Sequence, residues 1–153
     1  MNAIQTTLRA AAAGVIGMLA GAMLLIKVVF VPFWRGAPPR EFRIWFGKHS
    51  GRIRSVMGPL GAAGLGLAAA TTTAELVSDG SPRSAAVAAA GSAGVVAITL
   101  GVNEPANAKF EQEDFDDAET TELLQQWSRW HDIRVILGLV ATAAALTTAR
   151  TPR

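Results

Sequence analysis

The sequence predicts an all-α protein, a membrane-embedded four-helix bundle with a short interfacial helix between helices one and two. Three observations predict it. Half of the 153 residues are hydrophobic, and the mean hydropathy is +0.31. The apolar residues also gather into four long runs. A soluble domain of this length must cover itself in polar side chains, and these runs carry no charged faces with which to do so. The length argues for one integral membrane domain over residues 1–153.

The first run extends from Ala10 to Pro32 and is broken only by Lys27. The second covers 56–74, the third 85–102 and the fourth 133–149. Each approaches the roughly 20 residues a helix needs to cross hydrocarbon. Arg9 before the first run gives it the form of a secretory signal, but three more spans follow. Lys27 is expected to snorkel to the nearer membrane face. The second and third runs are weak by hydropathy because they are mostly Ala, Gly and Thr. In lipid such residues let helices approach closely. Gly17 and Gly21 form a GxxxG step, and Ala141, Ala145 and Ala149 recur every fourth residue. These small-residue faces also offer a homo-oligomer interface.

Four spans put both termini on one side, with the short link from Val77 to Arg83. The other side, here the loop face, carries 33–55 and 103–132. Eight Lys and Arg lie on the loop face and four on the terminal face. The positive-inside rule therefore predicts a multi-pass protein of the cell membrane with a cytoplasmic loop face. The formal charge of +2 is too small to suggest nucleic acid, and the absence of cysteine excludes disulfides, thiolate metal sites and a cysteine nucleophile.

Between Arg40 and Arg54, the residues Phe42, Trp45, Phe46, His49 and Ile53 share one helical face, the pattern of a helix lying in the interface. The stretch 111–122 holds seven acids and no base. It reads either as a solvated loop or as a gate that pairs with the basic helix opposite.

Polar residues converge on the loop face. Helix one ends in Phe33, Trp34 and Arg35. Helix two follows His49, Arg52 and Arg54. Helix three ends in Asn103, Glu104, Pro105 and Asn107, and helix four follows Trp127, Trp130, His131, Asp132 and Arg134. Both histidines and all four tryptophans lie on this side. Trp127, His131 and Arg134 follow an i, i+4, i+7 spacing and so share one face of helix four, which Gly138 and Ala141 continue as the packed face. Thr99, Asn103 and Asn107 form a similar line on helix three. Each residue also has a plainer reading: an aromatic belt for the tryptophans, an end cap for Asn103, an anchor for Arg134 and a satisfied interfacial histidine for His131. The conjunction is what marks a site.

The stretch Val102–Asn107 carries N-x-P-x-N, and Trp127–Arg134 reads W-x-x-W-H-x-x-R. Helix one ends in V-x-V-P-F-W, and Phe42-x-x-Trp45-Phe46 follows. This set resembles the anthrone-oxygenase-like family of small four-helix membrane proteins. That pattern usually has an aliphatic residue where this chain has Glu104, so the role of Glu104 stays open. The resemblance implies oxygenation of an anthrone- or phenol-like aromatic in natural-product biosynthesis, with O₂ as co-substrate and without flavin or haem.

The residues fit such chemistry. A deprotonated electron-rich phenol or anthrone reacts with O₂ directly, so the protein must supply a base, an anion-stabilising site and a dry pocket. His131 is the expected base. Arg134, Asn103 and Asn107 are the expected hydrogen-bond donors. Trp127, Trp130 and Trp34 are expected to stack on a flat substrate arriving from the bilayer, with Glu104 and His49 beside it. No flavin, NAD or P-loop fingerprint is present. Two other readings stay open. His49 and His131, with Glu104, Asp132 or Glu41, are a possible copper or iron set, although no H-x-x-x-H or E-x-x-H pair exists. A protein that binds an amphiphile or scaffolds a partner without catalysis also fits.

Overall fold

The computed structural model describes residues 3–78, 82–112 and 114–150. Four helical stretches are long and apolar enough to cross a membrane: Ala3–Gly36, Pro39–Val77, Arg83–Phe110 and Asp117–Arg150. The described residues contain no strand. The first stretch comprises α1 (Ala3–Leu25), a π turn (Ile26–Phe30) and α2 (Val31–Gly36). The second is α3 (Pro39–Val77). The third comprises α4 (Arg83–Ile98), a second π turn (Thr99–Asn103) and α5 (Glu104–Phe110). The last is α6 (Asp117–Arg150).

The two π turns share a cause. Pro32 and Pro105 each occupy the second position of the helix that follows. Proline lacks the N–H that would bond the carbonyl four residues back, and its ring presses on that carbonyl. A wider turn just before it relieves the clash without ending the helix. Helix three therefore continues past Asn103 as far as Phe110, where the sequence suggests a frayed end. At the other loop, Asp116 caps α6. Its carboxylate accepts the N–H groups of Ala118 at 2.7 Å and Glu119 at 3.0 Å. Those two bonds hold its carboxyl below the usual carboxylate range.

Helices pack around a ring, α1 on α3, α3 on α4, α4 on α6 and α6 on α1. This is an up-and-down bundle with short connections. Gly91 lies in the close seam between α4 and α6. A Cβ there would lie 3.0 Å from both Ala141 Cβ and the Leu137 carbonyl. Ala141 and Ala145 are buried at this seam, so their small-residue line serves packing inside the bundle. Gly21, by contrast, faces outward with open space around it.

The stretch expected to form a separate interfacial helix is helical but not separate. α3 runs unbroken from Pro39 through the second span, with Pro59 inside it. Nor does its aromatic stripe turn outward. Phe42 and Phe46 are buried, with ring centroids 5.8 and 5.7 Å from Trp34 and 5.0 and 5.4 Å from Phe110. The stripe is apolar enough for an interface, but aromatic partners elsewhere in the chain claim it first.

The acidic stretch does meet the basic one. Arg43 is buried and donates to Asp117 Oδ1 and Thr120 Oγ1, both at 2.7 Å. Arg54 pairs with Glu104 at 3.0 Å and with Glu111 at 3.1 Å. Lys27 does not simply snorkel: its Nζ lies 2.7 Å from Asp132 Oδ1 and ties the first π turn to α6.

Candidate functional site

A cavity of about 370 Å³ lies between the helices at the loop end. That volume falls within the ~300–1,000 Å³ of ordinary small-molecule pockets. Leu19, Ile26, Met57, Val95 and Leu100 make much of its wall apolar, and Trp34, Phe46 and Trp127 add aromatic faces. His131 and Arg134 line it from α6. The i, i+4, i+7 face of α6 is therefore the inward face: Trp127, His131 and Arg134 are all buried.

His131 is fully buried. Its Nε2 lies 2.9 Å from the Met23 carbonyl. A carbonyl only accepts, so Nε2 carries the proton and Nδ1 keeps its lone pair. Nδ1 is buried and has no hydrogen-bond partner. The ring stacks on Trp127, centroids 4.8 Å apart at 15°. The imidazole is thus held in one orientation and one tautomer, with its basic nitrogen unused.

Arg134 is 6 % exposed. Among the described residues it makes no ion pair, and its Nε has no hydrogen-bond partner. A buried unpaired cation costs several kcal/mol, of order ~3–5 where a partner has been removed. The Trp34 Nε1–H on the same wall also lacks an acceptor. Buried polar atoms are nearly always satisfied, so three on one cavity wall leave an unusual amount of hydrogen-bonding capacity unused there.

A hydrogen-bonded chain braces this wall. Trp127 Nε1 donates to Asn107 Oδ1 at 2.9 Å, and Asn107 Nδ2 donates to Glu104 Oε1 at 3.0 Å. Glu104 Oε2 meets Arg54 Nε at 3.0 Å. Arg54 and Ser50 both donate to Glu111 Oε1, at 3.1 and 2.7 Å. Glu104 thereby gains the role its type left open: it ties α5 to α3 and holds Asn107 against Trp127.

Not every residue singled out in the sequence reaches the cavity. Trp34, Glu104, Asn107, Trp127, His131 and Arg134 do. Asn103 is buried and both polar atoms of its side chain lack partners, but it is not among the residues that line the cavity. The π turn explains this: its wider ring breaks the i, i+4 register between Thr99 and Asn103. The wall instead takes Leu100, Glu104 and Asn107. Trp130 is 36 % exposed and points away. His49 stacks on Trp45 at 4.5 Å and donates from Nδ1 to the Trp45 carbonyl at 2.8 Å, outside the cavity. His49 and His131 therefore do not share a pocket, and no three His, Asp or Glu among the described residues gather as metal ligands. Sequence reasoning missed Ser50, Met57, Gly58 and Gly61 of the wall. Apolar or small residues at helical spacing carry no signal that separates a cavity lining from a packed seam.

A family model described as anthrone oxygenase matches residues 48–144, well over half of the chain and, apart from Phe46, all of the cavity wall that α3, α4, α5 and α6 supply. No curated protein and no solved structure matches it.

Proposed function

The chain belongs to the anthrone oxygenase family, and from that premise we propose that it is a membrane-embedded, O₂-dependent oxygenase of an electron-rich, anthrone- or phenol-like aromatic. One observation carries the reading. An unpaired imidazole nitrogen and an unpaired buried guanidinium line one apolar cavity.

In this mechanism the substrate lies flat against Trp127 and Trp34. His131 Nδ1 removes a proton from the activated C–H or O–H. Arg134 and the Trp34 N–H stabilise the anion that forms, and arginine stays charged throughout. The anion supplies electrons to O₂ and a C–O bond forms. The peroxide takes a proton back from the imidazolium. Removal of the second C–H proton and cleavage of the O–O bond then leave a carbonyl and water. A CH₂ group loses four electrons, O₂ gains four, and one oxygen atom enters each product. The chemistry draws on no cofactor. Asn103, which does not line the cavity, is assigned no contact with the substrate. We further place the loop face in the cytoplasm, from its excess of Lys and Arg.

The test is O₂ uptake and product absorbance with an anthrone and detergent-purified protein. His131→Ala should lose ~10²–10⁴ in rate while thermal unfolding stays cooperative. Arg134→Lys should be nearly as harmful, because the planar fork is lost. Unchanged turnover in a folded His131→Ala variant overturns the assignment of the base. Binding without O₂-dependent turnover of any such aromatic assigns the protein a binding or scaffold role.

A further inference from the structure

The cavity wall is unequal around its circumference. Helices one and four contribute only buried residues to it: Leu19, Ile26, Trp34, Trp127, His131 and Arg134. The exposed lining residues all come from the other two. Arg54, Gly58 and Ala62 lie on α3, and Leu100, 66 % exposed, lies on the turn after α4. The cavity therefore reaches the surface between α3 and helix three.

That opening has two halves. Toward the loop end, Arg54 bridges it to Glu104 and Glu111, and Asn107 bonds Glu104 behind them. This half is closed by charge. Deeper in the spans the facing residues are Gly58, Gly61 and Ala62 on one side and Val96 and Leu100 on the other. A Cβ on Gly58 would meet nothing within 4 Å. Glycine inside a helix is less stable than alanine, and no neighbour requires one here. Gly51 and Gly66 of the same helix also have open space beside them, but Gly58 differs from both in lining the cavity.

We propose that this gap is a lateral portal, through which a flat, uncharged, membrane-dissolved aromatic passes from the bilayer into the cavity. Gly58 and Ala62 set its width, and the Arg54–Glu104 pair shuts the aqueous side. A substrate bearing a hydrated charge has no route through these residues, since the portal offers it no hydrogen bond. The inference rests on the reading of the cavity as a substrate site.

The experiment uses the full chain in lipid nanodiscs and 1-aminoanthracene, a fluorescent tricyclic amine that partitions into membranes. Energy transfer from the tryptophans reports its arrival in stopped flow. Gly58→Leu should slow association by roughly tenfold or more, within the ~1–3 decades that on-rates vary among variants of one site. Gly66→Leu is the control. It makes the same change on the same helix, at an exposed position with open space around it and outside the cavity wall. Its rate should match the unmodified protein. Equal rates for the two variants overturn the portal and leave the cavity reading standing. If Gly58→Leu does not fold, Ala62→Leu replaces it, and an unchanged rate there overturns the portal equally. Failure of the unmodified protein to bind the probe overturns both readings together.

Discussion

At the terminal end of the bundle, Arg9 is buried against Glu75, with Nη2 and Nε at 2.6 and 2.9 Å from the same carboxylate oxygen. At the loop end, Arg134 is buried almost as deeply and makes no such pair among the described residues. The packing around the two differs in the same sense. Arg9 sits among Ala12, Ala68, Ala85, Ala88 and Ala145, where only about 10 Å³ is left over. Arg134 faces about 370 Å³ walled by large aliphatic and aromatic side chains. Small residues leave little space because backbones close up on them. At the loop end the rings of Trp34, Phe46 and Trp127 and the side chain of Met57 surround open space instead of closing on it. One end spends its buried charge on holding helices together. The other, beside paired charges such as Arg43 and Asp117, leaves polar atoms of Trp34, His131 and Arg134 unmatched at the cavity.

The contrast can be broken most sharply from the terminal end. Glu75→Ala leaves the Arg9 guanidinium buried without that carboxylate and should destabilise the protein by about 3–5 kcal/mol, measured by thermal or denaturant unfolding in detergent. Turnover per folded molecule should not change. A stability change near zero would mean that water reaches Arg9 and that the two ends are not different in kind.

Arg134→Met should behave in the opposite way. Removing an unpaired buried charge should leave stability unchanged or raise it, while turnover of an anthrone falls by ~10²–10³, the typical loss for one anion-stabilising donor. A large loss of stability would recast Arg134 as structural.

Gly91→Ala sharpens the packing side of the comparison. The added methyl meets the Leu137 carbonyl, which cannot step aside like a side chain, so α4 and α6 must separate. A cost of about 1–3 kcal/mol is expected. Gly14→Ala, exposed and in open space, should be neutral or stabilising by up to ~1 kcal/mol.

The smallest effect belongs to Asp116. Its folded-state carboxyl titrates below the ordinary value of 3.8, so its capping contribution is complete above that value. The contribution is lost as pH falls through the lower, folded-state value. Amide protection factors at the start of α6 should therefore fall below about pH 4, and Asp116→Ala should show that lower protection already at neutral pH.

Much of this was legible beforehand because membrane helices obey local rules. Four apolar runs of the right length specify four crossings, and an i, i+4, i+7 spacing on α6 placed Trp127, His131 and Arg134 on one inward face. The spacing argument failed where the backbone left the regular α-helix. Thr99 and Asn107 line the cavity, but Asn103, at the end of the π turn that precedes Pro105, does not. The stripe from Phe42 to Ile53 was visible, but not that it would face Trp34 and Phe110 instead of lipid.

Composition and periodicity by themselves determined the class, the number of spans and the shared end of the polar residues, while the family rested on motif resemblance. Those follow from residue type and from spacing along one helix. Only the tertiary structure decided which polar atoms found partners. It joined Arg9 to Glu75 across 66 positions and Lys27 to Asp132 across 105. It placed the Met23 carbonyl on His131 and left Nδ1 without a bond. Hydrogen bonds and ion pairs act over a few ångströms between helices, so their matching depends on rotation and depth within the bundle, which no single helix encodes.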